Sequence, residues 1–254
     1  MPANARCCST GPPRLPGTPD ARGEPPANYH EPSVTNIKSA PMITRAATLD
    51  DLGLVTQTLS LAFLHDPVWS VALARPDGST AHHAGYWQMY VEGAIRYSTV
   101  FMTEDASAVS VWIPPGGTDL SDTGEKAMVQ LVTATFEPAA AQAIFELWER
   151  FEVNHPRDEP HAYLSLLATH PDHRGLGIGQ RLLAENLTRW DAAGLPAYLE
   201  STNPANDHRY ERAGFRRIGG FRAVLNEAPI STMWRPSQGD ADAASSGRRP
   251  NASV

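Results

Sequence analysis

The sequence predicts one mixed α/β domain, and three observations carry the prediction. Short apolar runs with strand character alternate with segments of helical spacing between residues 42 and 236. The two ends of the chain are polar and lack that periodicity. Between them, the stretch HPDHRGLGIGQRLL at residues 170–183 joins an apolar strand to an amphipathic helix through three closely spaced glycines.

Residues 1–41 are rich in Pro, Gly, Ala and Ser, and such a segment buries too little apolar surface to offset its ordering entropy. A disordered leader is therefore expected, with Met42 as the native start. The stretch MITRAATLDDLGLVTQTLSLAF reads as a short strand entering a helix over 51–63. Thr48 stands at its start with Asp51 three residues on, and Leu52, Val55, Leu59 and Phe63 share a face. A second helix is expected over 82–98, offering Trp87, Tyr90, Val91 and Ile95 to one side. TVFMTED and SAVSVWIPP read as paired strands turning at Asp105, Ala106 and Ser107. Helical sequence over 126–151 is interrupted near Pro138, and AYLSLLAT is short and apolar enough for a central strand. A helix from the glycine loop to Ala193, a strand PAYLEST, a short helix NDHRYERAG and final strands FRRIGGFRAVL and APISTMWR complete the domain. Residues 237–254 read as a polar tail.

Composition narrows the function. Twenty-one Lys and Arg against 28 Asp and Glu give a net charge of −7, which argues against a general nucleic-acid binder. No run of about 18 apolar residues marks a membrane span, and no apolar core marks a secretory signal, so a cytoplasmic protein is expected. Two adjacent cysteines, Cys7 and Cys8, form neither a disulfide framework nor a familiar metal-ligand spacing. His170 and His173 lack the further ligands a metal site needs, and no metal is expected.

The glycine loop has the makings of an anion cradle. Amides at a helix start are unpaired, the helix dipole favours negative charge there, and Arg174 adds a fixed positive charge beside Gly175, Gly177 and Gly179. A diphosphate suits it. A dinucleotide-binding fingerprint fails, because G-x-G-x-x runs into Gln180 where a small residue is required, although Glu200 lies at about the expected distance of 20 residues. A Walker loop fails for want of the Lys-Ser/Thr pair.

R-x-x-G-x-G, from Arg174 to Gly179, resembles the signature of the GNAT superfamily of acyl-CoA-dependent N-acyltransferases. The likeness spans residues 42–236 and is strongest over 161–217, where NPANDHRYERAGF is similar to the family's later Asn, Tyr-Glu and Gly-Phe segment. AFLHDP, AVSVWIPP and YLEST resemble the branch that includes puromycin acetyltransferase. The resemblance implies a twisted, mostly antiparallel mixed sheet whose central strands, Leu164 to Thr169 and Ala197 to Thr202, splay apart between flanking helices. It implies acetyl-CoA as co-substrate, with pantetheine along the backbone of Leu167, Ala168 and Thr169. The diphosphate would lie on Arg174, Gly175, Leu176, Gly177, Ile178, Gly179 and Gln180, and Asn203 would stand on the cofactor side. Asn206 departs from the small apolar residue that many relatives carry.

Acetyl transfer to an amine needs a proton removed and a thiolate stabilised. At pH 7 an amine of pKa about 10.4 is neutral in only about one molecule in 2,500, a handicap of about 4.6 kcal/mol. Glu200, at a strand end beside the implied wedge, is the candidate base, and a structural carboxylate paired with Arg is the competing reading. His161 and His170 are further proton carriers. The resemblance puts Tyr210 near the sulfur, where a phenol of pKa about 10 would give its proton to a thiolate of pKa about 8.5 uphill by about 1.5 units. Asp66, Trp69, Trp87, Tyr90, Glu92 and Trp112 could surround an apolar primary amine of a small molecule. An acyl-CoA sensor without turnover and a protein-modifying acetyltransferase are the alternatives.

Overall fold

A computed structural model describes residues 43–239; the expected leader, the Met42 start and the tail from residue 240 lie outside the described residues. Seven strands form one sheet: β1 (Thr44–Ala46), β2 (Val100–Thr103), β3 (Ala108–Ile113), β4 (Ala162–Thr169), β5 (Ala197–Ser201), β6 (Arg216–Arg222) and β7 (Pro229–Arg235). Their order is β1-β2-β3-β4-β5-β7-β6, and every pair is antiparallel except β4 with β5. Seven α-helices accompany them: α1 (Leu52–Phe63), α2 (Trp69–Ala72), α3 (His82–Ile95), α4 (Asp122–Thr135), α5 (Pro138–Asn154), α6 (Ile178–Ala192) and α7 (Asp207–Arg212). This is the mixed, mostly antiparallel sheet with flanking helices that the sequence predicts, and no helix among the described residues is long and apolar enough to cross a membrane.

Both faces of the sheet are covered, as the period of two in β3 requires. Val109, Val111 and Ile113 point into a core built with α1, α3, α4 and α5, while Ala108 and Trp112 point into a second core closed by α6. Asn186, buried on α6, accepts from Ser110 Oγ at 2.6 Å and from Trp112 Nε1 at 3.0 Å, so the side-chain donors of β3 on that face are paired. The sheet's last strand is tied to α6 by a bidentate pair, Arg235 on Asp191 at 2.7 Å twice. Asp191 also accepts from the Gln238 amide at 3.1 Å, which keeps the chain packed just past β7.

Two helical segments differ in their bounds from the sequence reading for local reasons. The helix expected over 82–98 stops at Ile95, and Ser98 takes a positive φ of 57° before β2. The segment expected as one broken helix over 126–151 is two. Ser121 Oγ accepts from the Gly124 amide and starts α4 four residues early, and Pro138 opens α5, where its missing N–H costs nothing. At α1 the carboxylate of Asp51 accepts from the Thr48 amide at 2.9 Å, as its spacing suggests, and also binds Arg45 through two contacts of 2.6 Å.

The feature that makes room for a ligand is a bulge in β4. Val111 pairs with Leu166 but the next residue, Trp112, pairs with Leu164, so Ser165 is an extra residue without a counterpart on β3. A one-residue insertion reverses the facing of everything after it. Ala162 and Leu164 accordingly belong to the α6 core, whereas Leu166 and Ala168 belong to the opposite one. The parallel pairing of β4 with β5 also ends there, at Leu164 and Leu199. Beyond it the two strands diverge, and the edge of β4 from Ser165 to Thr169 has no partner strand on the β5 side.

Candidate active site

A cleft of about 1400 Å³ starts at this divergence and spreads under α1, α3 and α5. Its lining includes Leu167 and Ser165 from β4, Glu200 from β5, Thr202 and Asn203 just beyond, and Tyr210 from α7. Leu167, Glu200, Asn203 and Tyr210 thus line one place, whereas none of the residues from Arg174 to Gln180 is among its lining. Ala168 and Thr169 continue β4 past the lining, and the Ala168 side chain is buried in the core.

The glycine loop lies at the C-terminal end of β4. Gly175 and Gly177 take φ of 82° and 73°, conformations that strain any other residue, and Gly177 is the residue that starts α6. Gly179 has a different reason: a Cβ there would stand 2.5 Å from Thr169 Oγ1. The glycines therefore shape the loop and bring α6 against β4. The first turn of α6 offers the amides of Ile178, Gly179 and Gln180, and the first amide bonded back into the helix is that of Arg181, to Gly177 O. Leu176 is exposed on the loop. Arg174 is partly engaged elsewhere, donating from its guanidinium to Ala62 O at the end of α1 at 3.0 Å. That bond ties the loop to α1, a role the sequence does not reveal. An unpaired strand edge, a turn of free amides and a glycine that admits no side chain fit the pantetheine and diphosphate of acetyl-CoA.

Glu200 sits at the apex of the divergence. Its side chain is 2% exposed, and neither carboxylate oxygen has a hydrogen-bond partner. A buried carboxylate without a hydrogen bond is costly, so a cation beside this one is favoured, and His155 Nδ1 already stands 3.7 Å from Oε1. No arginine pairs with it among the described residues. Tyr163 and Tyr198 stand beside it, and burial, reinforced by the Glu200 charge, holds both phenols protonated far above the ordinary range.

Asp119, in the loop after β3, is a functional candidate that sequence reasoning missed. It lines the cleft, accepts from Ser165 Oγ, and burial pushes its carboxyl up to about 6 with the neighbouring Glu200 charge adding to the shift. The only trace in the sequence is the turn PPGGTD, which does not say which way the carboxylate faces.

Asp66 joins the ends of two elements. Oδ1 accepts from the Val68 and Trp69 amides at 3.0 and 3.1 Å, and Oδ2 from Thr202 Oγ1 at 2.8 Å. Its carboxyl is raised by burial. Tyr210 packs on Phe215 and presents its ring to the cleft. Burial first, then the charges of Asp66 and Asp207, push the phenol up to about 12. Asn203 already uses its side chain to cap the turn that follows, accepting from the Ala205 amide at 3.1 Å, and Asn206 Oδ1 accepts from Arg209.

An aromatic wall closes the far side. Phe63 stacks on Trp87 at 4.7 Å, Trp69 meets Trp87 edge-on at 5.4 Å, and Phe151 stacks on Trp69 at 5.8 Å. Tyr90 completes it. Two expected wall residues are elsewhere. Trp112 is directed into the α6 core by the alternation of β3, and Glu92 is exposed on α3, where Gln88 donates to it. His161 lines the cleft, whereas His170 and His173 stay on the turn before the glycine loop and do not.

Residues 140–217 match the family model described as the acetyltransferase (GNAT) domain. Over that segment the chain is similar to the GNAT acetyltransferase domain. Acetyl-CoA is the co-substrate of this domain, and acyl transfer is its chemistry. Solved GNAT structures share the fold. The histone acetyltransferase HPA2 and related acetyltransferase of Corynebacterium glutamicum ATCC 13032 superposes with a TM-score of 0.57 at 23% identity, covering 77% of this chain and 96% of that one. Arylalkylamine N-acetyltransferase 2 of Aedes aegypti gives 0.57 at 12%, over 78% and 99%. An agmatine N-acetyltransferase gives 0.54 at 16%, over 77% and 99%.

Proposed function

We propose that the protein is a cytoplasmic N-acetyltransferase that moves acetyl from acetyl-CoA to the primary amine of a small cationic molecule. The observation that carries this reading is Glu200, a buried carboxylate at the point where β4 and β5 part. Around it the cleft is lined by eight carboxylates and one arginine, and that Arg157 is already paired with Glu152. Such a lining attracts a cation, and the aromatic wall offers faces on which it can rest.

Acetyl-CoA supplies the thioester carbonyl that the amine attacks directly. Glu200 takes the proton from the ammonium nitrogen, removing the handicap of about 4.6 kcal/mol that a pKa near 10.4 imposes at pH 7. As the C–S bond breaks, the Tyr210 hydroxyl donates a hydrogen bond to the leaving sulfur, and the proton still on the attacking nitrogen passes to that thiolate, which is released as free thiol. The amides of Ile178, Gly179 and Gln180 hold the diphosphate, and the free edge of β4 at Leu167, Ala168 and Thr169 aligns the pantetheine. Asp66 and Asp119 orient the ammonium.

Acceptor charge tests the reading. A cationic amine is expected to show a KM at least about tenfold below that of the amino acid with the same side chain, because the extra carboxylate of the latter meets like charge. Lowering the pH through about 6 neutralises Asp119 and raises the KM for the cation, an effect that Asp119→Asn flattens. Steady-state kinetics with matched pairs of acceptors measure both, and a KM that favours the amino acid contradicts the assignment.

A further inference from the structure

His155 follows the last turn of α5 and faces Glu200, with Nδ1 3.7 Å from Oε1. Its other ring nitrogen, Nε2, lies 3.1 Å from Nε2 of His161. His161 Nδ1 lies 2.7 Å from the carbonyl oxygen of Glu159. These three distances fix the ring protons.

A carbonyl only accepts, so Nδ1 of His161 carries a hydrogen, and the neutral ring presents a bare Nε2 to its neighbour. Burial lowers His161 below the ordinary imidazole range, which keeps it neutral. Nε2 of His155 must then carry the hydrogen of the 3.1 Å contact, because two bare nitrogens would repel. With hydrogen on Nε2, His155 therefore turns its lone pair, on Nδ1, toward a carboxylate whose other polar neighbours are the Tyr163 and Tyr198 hydroxyls. Two acceptors face each other without a donor. One added proton satisfies both.

We infer that His155 is the positioning residue behind Glu200, held in its working tautomer by His161, and that it stores the proton which Glu200 removes from the amine. The inference rests on the assignment of Glu200 as the base. In the first transfer the ammonium N–H bond breaks and a Glu200 O–H bond forms. In the second that O–H bond breaks and the proton joins His155 Nδ1, which restores the carboxylate for the next amine. The imidazolium keeps its Nε2–H bond to His161 and returns the Nδ1 proton to cleft water, which the 18% exposure of the His155 side chain permits.

The charged and titratable groups around this pair come from every neighbouring element. Glu152 stands on α5, His161 and Glu159 on the segment before β4, Tyr163 on β4, Tyr198 and Glu200 on β5, and Asp119 on the loop after β3. The Tyr163 and Tyr198 rings lie edge-on to His155 at 4.7 and 5.0 Å, and Trp234 of β7 packs on His161 at 5.2 Å. The protonated phenols add no charge to this cluster.

Two measurements test it. Long-range nitrogen NMR of the ligand-free protein, at a pH where His155 is neutral, is expected to show hydrogen on Nε2 of His155 and on Nδ1 of His161. The opposite tautomer of either ring overturns the inference. In kinetics, His155→Gln keeps a polar group of similar reach that stores no proton. Its kcat at pH 7 is expected to fall at least about tenfold, with the deficit shrinking as pH approaches the pKa of the amine and the KM for acetyl-CoA little changed. A parent-like kcat at pH 7, or the same deficit at every pH, overturns it. Turnover by the parent protein alongside either result sinks the proton store alone, whereas a parent without amine-dependent turnover sinks the assignment beneath it.

Discussion

Glu200→Gln is expected to lower kcat/KM for a basic amine at pH 7 by about 100-fold to 10,000-fold, the range over which a positioned general base contributes. Glutamine preserves size and most packing in a pocket where the carboxylate makes no hydrogen bond, so the fold has little to lose. It removes a buried charge, and thermal stability should hold or rise in consequence. The loss should be pH-dependent in a defined direction. As the solution approaches the pKa of the amine, the free base becomes abundant without help from the protein, and the gap between variant and parent closes. A deficit that is constant from neutral to alkaline pH would point to misplaced acceptor rather than a missing base.

Tyr210→Phe is the second large effect, with kcat expected to fall about 100-fold when the chemical step limits turnover. The mechanism of the loss differs from the one the residue type suggests. An ordinary phenol lies about 1.5 units above a thiol, but burial and the charges of Asp66 and Asp207 push Tyr210 up to about 12. Complete transfer to a thiolate of pKa about 8.5 is then uphill by about 3.5 units, or about 4.8 kcal/mol. The hydroxyl therefore works as a hydrogen-bond donor that keeps its proton while the sulfur leaves as a thiolate. Removing a donor used only as the thiolate forms should lower kcat and kcat/KM together and leave the affinity for acetyl-CoA nearly unchanged. A parent-like single-turnover rate removes the role from Tyr210.

The sequence carried much of the fold because its signals are local. AYLSLLAT is β4 residue for residue, and the switch from that strand through glycines to the spacing of Leu182, Leu183 and Leu187 marks both the loop and the buried face of α6. What it could not carry were facts that depend on register. The extra residue at Ser165 is invisible in an apolar run, yet it opens the wedge and decides which residues reach the cleft. Trp112 was expected at the site because it is large and aromatic, and the alternation of β3 sends it to Asn186 instead. Arg174 and the glycines read as one anion motif, but the arginine also holds α1 and Gly179 is small because Thr169 is near. Asp119 comes to Glu200 and His155 from a distant loop, and no spacing in one dimension shows that His155 and His161 turn their rings together across the α5–β4 connection.

The most direct test is the release of free thiol from acetyl-CoA by the parent protein across small amines, polyamines and lysine peptides, each with and without the acceptor. The account predicts release that depends on a small cationic amine, saturates with it, and yields the N-acetylated product in equal amount. Tight binding of acetyl-CoA with no release for any amine would contradict it.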